Sequence, residues 1–388
     1  MLQVRNQRAA PPRDRARQAV PPPTVTDGQA PVNTRDPFFD NAKYLAIVLV
    51  AIGHAWAPLR DDSRTLAALY NAVYAFHMPA FILIAGYFSR NFTGRPEQLR
   101  RLVGGVLVPY LLFGVAYVLF KRWATDDPNH PFALLDPYYL TWFLIALFVW
   151  RITAPLWNVV RWPMPIALTV AALASFAPSL GNDLNIQRVL QLLPFFVLGM
   201  KLRPEHFELV KRREVRLAAL PVALCALATA YWSVPRMEAG WFYRTYAAQD
   251  LGFEWWAGVV MSLALFGCGL VLTVCFLSWV PSGRRWFTAL GAGTMYGFLL
   301  HGFVVKASRW WDWYDTSWVA TPAGQLGVTA IGAVVVTLLC TAPVRRLFRF
   351  MVEPRLGWLF TRTPRGAVPR GAVPRGAEAG ADGPSRSR

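Results

Sequence analysis

Apolar stretches about as long as a bilayer is thick recur along most of the chain, and no other feature restricts the fold as strongly. A helix needs about 20 mostly apolar residues to cross the hydrocarbon core of a membrane. The composition agrees, because 55% of the residues are hydrophobic and only 16% are charged, which is unusual for a soluble domain. We therefore predict an all-α integral membrane protein with about ten transmembrane helices, at residues 38–58, 69–89, 102–120, 138–157, 163–180, 184–200, 215–232, 255–280, 287–307 and 323–343.

Basic residues are distributed unevenly between the loops, and this distribution predicts an orientation. With the N-terminus in the cytoplasm, the inner loops contain clusters such as Arg95, Arg100 and Arg101. The outer loops contain fewer lysines and arginines, and they also carry acids such as Asp61 and Asp126. Because cytoplasmic loops are enriched in Lys and Arg, we expect both termini in the cytoplasm. An even number of spans agrees with this orientation.

The two ends of the chain differ in composition from the apolar part between them. Residues 1–37 form a basic, Pro-rich arm that lacks the apolar core of a signal peptide, so the first span is expected to act as the insertion signal. Residues 346–388 repeat the sequence PRGAV and are rich in Arg, Pro and Gly, a composition that cannot bury a core. We predict that both ends are disordered and that residues 38–345 form the membrane domain.

The positive charge of the chain does not indicate a nucleic-acid-binding protein. The formal charge is +18, but the basic residues lie in short clusters between apolar stretches and in the two tails. The four cysteines all fall within apolar stretches, and none pairs with a histidine at zinc-ligand spacing. We therefore expect the lipid bilayer as the surrounding partner, and neither nucleic acid nor a metal ion.

The first span carries polar residues that are costly in a membrane. Lys43 and His54 are eleven residues apart, which places them within about 20° on one helix face and about 16 Å apart along the axis. Asp40 continues the same stripe, and Asn41 follows it. Lys43 alone is also explained by snorkelling to the headgroups, and His54 alone by a bond to a backbone carbonyl. Asp40 and Asn41 either orient the cytoplasmic entrance or cap the helix.

Two further histidines fall in spans at a depth similar to that of His54. His77 lies about two turns below the outer surface, beside Pro79, which removes a helix hydrogen bond and favours a kink. His301 lies in the outer half of the ninth span, on the same face as Gly297. Each histidine alone is compatible with a buried structural hydrogen bond. Together they predict a shared polar site.

Six stretches of the sequence carry a resemblance to a known family. They occur in the family's order and at similar intervals over roughly residues 35–345. The sequence resembles the membrane acyltransferase family 3, and within it the branch similar to fucose 4-O-acetylases. The six stretches are DNAKYLAIVLVAIGHAW, FHMPAFILIAGYFSR, RRLVGGVLVPY, YLTWFLIALFVWRI, LPFFVLGMKL and YGFLLHGFVV.

The resemblance implies a ten-helix enzyme of the bacterial plasma membrane that transfers acyl groups. The donor in this family is usually cytoplasmic acetyl-CoA, and the acceptor is a hydroxyl of a sugar, a surface glycan or another exported molecule. The family's first helix carries a basic residue followed by a histidine thought to be catalytic, and this pattern matches Lys43 and His54. Lysine replaces the usual arginine here, and Ala85-Gly86-Tyr87 replaces the family's Ser-Gly-Tyr.

Roles for individual residues follow from this implied reaction. His54 is the expected general base, because an imidazole suits proton transfer at neutral pH. Basic groups at the cytoplasmic ends of spans are expected to bind the phosphates of CoA, although ordinary positive-inside charge also explains them. These CoA-binding candidates are Lys43, Arg95, Arg100 and Arg101. The candidates for acceptor binding are Asp40, Asn41, His77, Trp142, Tyr296 and His301; for Trp142 packing at the outer interface is the alternative.

A different class of function is compatible with histidines inside the membrane. A polytopic transporter or flippase uses such groups as a proton relay. The sequence has no paired carboxylates within spans and no clear inverted repeat, which makes this alternative the weaker one. A non-catalytic membrane scaffold would leave the polar residues unexplained.

Overall fold

The computed structural model describes residues 36–180 and 183–360, and all regular structure within these ranges is helical. A π-helical turn, Val103–Leu107, joins α3 to α4, and short 3₁₀ turns include Tyr139–Thr141 and Thr288–Gly293. The α-helices are α1 (Pro37–Trp56), α2 (Arg64–Ser89), α3 (Pro96–Leu102), α4 (Val108–Ala124), α5 (Trp142–Ile152), α6 (Ala154–Val159), α7 (Pro163–Ala174), α8 (Ile186–Lys201), α9 (Pro204–Val210), α10 (Arg213–Ser233), α11 (Gly240–Tyr243), α12 (Trp255–Trp279), α13 (Thr294–Trp310), α14 (Pro322–Leu339), α15 (Ala342–Leu347) and α16 (Arg349–Val352).

Each of the ten predicted spans contains a helix, but the helices differ in length. Within the described ranges, seven helical segments are long and apolar enough to cross a membrane. They are Pro37–Trp56, Arg64–Ser89, Pro96–Ala124, Arg213–Ser233, Trp255–Trp279, Thr288–Trp310 and Pro322–Leu339. These helices confirm an all-helical, multi-pass membrane protein, while the number ten and the orientation of the termini stay predictions.

The three remaining predicted spans are shorter than a bilayer core. Helices α5, α7 and α8 have 11, 12 and 16 residues. At 1.5 Å per residue they extend about 17, 18 and 24 Å, against about 30 Å of hydrocarbon. Pro155 follows the end of α5 and prevents that helix from continuing, whereas α7 begins at Pro163 as predicted and ends early, at Ala174. Polar residues such as Gln187 and Gln191 lower the hydropathy of α8, and both are buried against protein.

Helices α1 and α2 form the centre of the bundle, and α10 and α14 lie at its edge. In α1, 67% of the most apolar window is buried inside the protein, compared with 6% in α10 and 17% in α14. Helix α1 packs against α2, α13 and α14. Its buried apolar residues, such as Ile47 and Val50, belong to the main hydrophobic core. Polar groups on α1 therefore face protein on most sides.

The crossing of α2 and α8 depends on two glycines. A side chain at Gly86 would overlap the carbonyl oxygen of Phe196, and a side chain at Gly199 would overlap the carbonyl oxygen of Leu83. The two backbones therefore approach until no Cβ fits between them, as small residues allow in membrane bundles. This crossing joins two of the sequence stretches that carry the family resemblance, IAGYFSR and LPFFVLGMKL.

The chain remains ordered in helices beyond residue 345, where the sequence predicted a disordered tail. Helix α16 follows α15 directly, and Val352 at its end is buried, with 3% of its surface exposed. Phe348 and Met351 pack against the main hydrophobic core. Apolar burial thus accounts for the helical start of this segment. The predicted disorder of residues 1–35 and 361–388 concerns residues outside the described ranges.

Candidate active site

A cavity of about 510 Å³ opens at the C-terminal end of α1, which we call the His54 end. Its wall combines parts of α1, α2, α8 and α13 with the segments before α5 and after α11. These elements are distant in the sequence, and the packing of α2 on both α1 and α8 brings them together. His54, His77 and Trp142 line this one cavity. The structure thus places three of the predicted site residues on a common surface.

His54 has side-chain partners and faces the cavity. It is half-buried on the cavity wall, in the last turn of α1. Its Nδ1 atom lies 2.9 Å from the hydroxyl of Tyr139 and 3.4 Å from the hydroxyl of Tyr74. Because a tyrosine hydroxyl both donates and accepts, either tautomer of the imidazole satisfies these contacts. His54 therefore has one nitrogen held by phenols and a second nitrogen available for chemistry.

His77 and His301 are buried and bond to their own helices. Nδ1 of His77 donates to the carbonyl of Val73, and Nδ1 of His301 donates to the carbonyl of Gly297, both at 2.9 Å. In the neutral form of each ring, Nε2 is then the unprotonated nitrogen. A hydrogen bond to a backbone carbonyl was the structural alternative to a catalytic role for His54, and this bond occurs instead at His77 and His301.

The three histidines form one cluster with Tyr74. The ring centres of His54 and His301 are 5.5 Å apart. The Tyr74 ring is 6.0 Å from that of His54 and 4.7 Å from that of His77. This arrangement is the polar site that the similar depth of the histidines predicted. Within the described residues, no group of three or more His, Cys, Asp or Glu side chains is arranged to hold a metal ion.

The sequence analysis missed several residues on the cavity wall. Tyr74 and Tyr139 contact His54, and the guanidinium of Arg188 lies 4.4 Å from the ring centre of Trp142. Trp142 is therefore buried against a cation at the cavity and does not lie at the protein surface. Tyrosines and arginines at the ends of different spans have no sequence spacing that links them, so only the fold reveals the set.

The opposite end of α1 is held by hydrogen bonds within the protein. Asn41 is fully buried, and its amide nitrogen donates to the carbonyls of Pro281 and Gly283 at 2.8 and 2.9 Å. Its amide oxygen accepts from the Thr288 hydroxyl at 2.7 Å. The ammonium group of Lys43 lies 2.7 Å from a carboxylate oxygen of Asp40. Asp40 and Asn41 are thus about one helix length from the cavity.

The remaining predicted site residues also lie outside the cavity wall. Arg95 precedes α3, and Arg100 and Arg101 lie in its last turn, where the Arg100 guanidinium is 5.7 Å from the ring centre of Phe360. Tyr296 is buried near the start of α13, two residues after Thr294. The roles assigned to these residues stay predictions.

The four cysteines are free thiols, at positions Cys225, Cys268, Cys275 and Cys340. Cys340 is buried, Cys275 is half-buried and the other two are exposed on apolar helices. The apolar stretches that contain them predicted burial, which is confirmed for Cys340 and wrong for Cys225 and Cys268.

The family to which this architecture belongs is shown by comparison with known proteins. Residues 36–344 match the family described as "Acyltransferase domain". Because this match covers most of the chain, the protein belongs to that acyltransferase family. The resemblance carried by the six sequence stretches is thereby confirmed.

Two relatives share the name nodulation protein NolL. The protein from Sinorhizobium fredii is 27% identical over 197 residues, which is 47% of this chain and 52% of the relative. The protein from Mesorhizobium japonicum is 43% identical over 63 residues, which is 16% of this chain and 17% of the relative. The chain therefore matches about half the length of the first relative and less of the second. No solved structure matches the chain.

Proposed function

We propose that the protein is a membrane O-acyltransferase that moves an acetyl or other acyl group from cytoplasmic acyl-CoA to a hydroxyl of a sugar, a glycan or an exported metabolite. Membership of the acyltransferase family supports the reaction class. The observation that carries the residue assignment is the contrast among the three histidines. Only His54 combines side-chain partners with a place on the wall of the large cavity, whereas His77 and His301 bond to their own helices.

In the proposed step, His54 is the general base. Its Nδ1–H donates to the Tyr139 hydroxyl oxygen, which leaves the Nε2 lone pair to take the proton of the acceptor hydroxyl. The acceptor oxygen attacks the thioester carbonyl carbon, the new C–O bond forms and the C–S bond breaks. The proton on His54 then passes to the CoA thiolate, so the imidazole is neutral again. Tyr139 acts as a positioning residue that holds the imidazole ring in place through this hydrogen bond.

The proposed donor approaches His54 from the opposite end of α1. With both termini in the cytoplasm, Lys43 lies at the cytoplasmic side, and so do Arg95 before α3 and Arg100 and Arg101 within it. Phosphates favour such cations, and a span of about 16 Å along α1 suits the extended pantetheine arm. Lys43 contacts Asp40, so phosphate binding would share or replace that ion pair.

The proposed acceptor occupies the cavity at the His54 end. Aromatic side chains such as Trp142 and Tyr74 line it, and flat aromatic faces pack well against sugar rings. His77 and His301 frame the cluster behind these rings. The protein is then placed in the bacterial plasma membrane, where the donor is cytoplasmic and the acceptor is exported.

Acetyl transfer by the purified protein tests this proposal. The protein is incubated with radiolabelled acetyl-CoA and a panel of saccharides, and the labelled products are separated. We expect wild-type protein to label at least one saccharide and His54→Ala to do so at least about 100-fold more slowly. His206→Ala is the matched control, because His206 is exposed in α9 and accepts a hydrogen bond from Arg203.

Two outcomes would contradict the proposal in different ways. Undiminished transfer by His54→Ala would reject the general-base assignment. Failure of the wild-type protein to bind or use acetyl-CoA would reject acyl transfer and favour the transporter.

A further inference from the structure

The cavity at the His54 end is strongly cationic. Four arginines lie on its wall, namely Arg60, Arg188, Arg244 and Arg309. Within the described residues, no Asp or Glu side chain lines the cavity to balance them. A low-dielectric pocket with one sign of charge concentrates ligands of the opposite sign. The electrostatics therefore select for an anion.

Arg244 is the most informative of these arginines. Only 7% of its surface is exposed, and its backbone has a φ of 58°, in the left-handed region. It lies on the cavity wall, and its guanidinium makes no hydrogen bond or ion pair with any residue in the described ranges. Burial lowers the pKa of Arg244 to about 10, so the guanidinium keeps its charge at neutral pH. A buried, unpaired guanidinium is costly, and a ligand anion would supply the missing partner.

The other arginines differ in how far they are already engaged. Arg60 donates to the Tyr243 hydroxyl and contacts Asp61 at 3.4 Å, so the protein supplies its partners. Arg188 uses Nε for the carbonyl of Tyr243 at 2.7 Å and lies over an aromatic ring, which fixes its position. Arg309 is exposed at the cavity, and its side chain has no hydrogen bond or ion pair within the described part of the chain.

We propose that the acceptor carries a negatively charged group, a carboxylate or a phosphate ester, which Arg244 binds together with Arg188 and Arg309. This inference rests on the proposed function, because it specifies the substrate class of the same cavity. The arginines hold the anion, the aromatic rings hold the sugar, and the reacting hydroxyl lies against His54. A guanidinium pairs with either group through two parallel hydrogen bonds, so carboxylate and phosphate share the same recognition chemistry.

Binding of three saccharides with one common ring tests the inference. The probes are methyl glucoside, which is neutral, methyl glucuronide, which carries a carboxylate, and glucose 6-phosphate. Their dissociation constants are measured by calorimetry on full-length protein in nanodiscs at low salt, without acetyl-CoA. We expect at least one anionic probe to bind at least about tenfold more tightly than the neutral probe. The two anionic probes distinguish a carboxylate from a phosphate acceptor.

Variants at one position show whether the preference comes from Arg244. We expect Arg244→Gln to lower the affinity for the anionic probe to that for the neutral probe, and Arg244→Lys to restore part of the preference. Arg236→Gln is the matched control. Arg236 follows the end of α10, is exposed and contacts Trp232 in the last turn of that helix. The control should keep the full preference.

The competing explanation is that these arginines bind the phosphates of CoA. Acetyl-CoA binding to the same proteins is therefore measured in parallel. Equal affinity for all three probes, or an Arg244→Gln variant that loses acetyl-CoA but keeps the anion preference, overturns the inference. If wild-type protein shows the preference but neither binds nor uses acetyl-CoA, the proposed acyl transfer fails while anion binding stands.

Discussion

Both ends of helix α1 carry polar side chains that are costly to place in a membrane helix, but the surroundings of these side chains differ. At the start of the helix, the amide of Asn41 makes three hydrogen bonds to the segment around Thr288, and Lys43 pairs with Asp40. Near the other end, His54 faces a cavity whose wall includes the unpaired Arg244. The polar groups at the first end are hydrogen-bonded within the protein, whereas those at the second end include donors that are free to bind a ligand.

This difference separates structural from functional polar groups. A buried group whose donors and acceptors are all used stabilises the fold and has nothing to offer a ligand. A buried group with an unused hydrogen-bond donor or acceptor raises the free energy of the ligand-free protein, and a ligand that bonds to this group removes that cost. Mutations at the two ends should therefore affect different quantities, stability at Asn41 and turnover at His54.

The largest expected effect is the loss of turnover in His54→Gln. Glutamine keeps a polar side chain at the cavity but cannot serve as a base near neutral pH, so kcat should fall by about 10²- to 10⁴-fold. The thermal unfolding midpoint in detergent should stay near that of the wild type. A large drop in the midpoint with a proportional loss of activity would mean that His54 is structural, and the two ends of α1 would then not differ in role.

Asn41→Leu should show the opposite behaviour. The substitution keeps the branched heavy-atom skeleton but removes the partner of two carbonyls and of the Thr288 hydroxyl, at a cost of about 1–3 kcal/mol for each group left buried and unsatisfied. We expect a clearly lower thermal midpoint, with kcat per folded molecule within about twofold of the wild type. Asn158→Leu is the control, because Asn158 is exposed and makes one bond to the Arg90 carbonyl. Equal midpoints for the two variants would show that the Asn41 contacts do not secure this end.

Tyr139→Phe tests the partner of the proposed base. Removing the hydroxyl 2.9 Å from Nδ1 should lower kcat by about tenfold and leave KM for the acceptor nearly unchanged, because the orientation of the imidazole changes but the phenyl ring of residue 139 remains. Tyr74→Phe removes the longer contact of 3.4 Å and should have the smaller effect. A rise in KM alone for Tyr139→Phe would assign the hydroxyl to acceptor binding.

The smallest effect is expected for Lys43→Met. If Lys43 contributes a phosphate contact, KM for acetyl-CoA should rise about threefold to tenfold, and Lys43→Arg should restore it. Lys211→Met is a close control, because Lys211 forms the same type of pair with Glu208, three residues away, at 2.8 Å. Equal changes in the two methionine variants would show that Lys43 only stabilises its helix.

Much of the fold could be predicted from the sequence, because apolar length is a strong local signal. All ten predicted spans contain helices, and the shared depth of His54, His77 and His301 correctly indicated one cluster. Helix lengths could not be predicted equally well. A proline follows the early end of α5, α7 ends at Ala174, several residues before the predicted limit, and α8 contains polar residues that are buried against protein.

The residues of the site could be predicted from the sequence less completely than the fold. Tyr139, Arg188 and Arg244 come from three separate segments, and no periodicity connects them. Their side chains meet only because α2 packs against both α1 and α8. The sequence also does not show that the Arg244 guanidinium lacks a partner, because the folded structure determines which described residues surround it.

The glycine crossing of α2 and α8 has a practical consequence for protein engineering. Because neither Gly86 nor Gly199 leaves room for a methyl group, these two helices cannot be shifted to reshape the cavity. The segments 137–142 and 242–246 also line the cavity, but they lie outside this crossing. Libraries that aim to change the acceptor should therefore randomise these two segments and keep both glycines fixed.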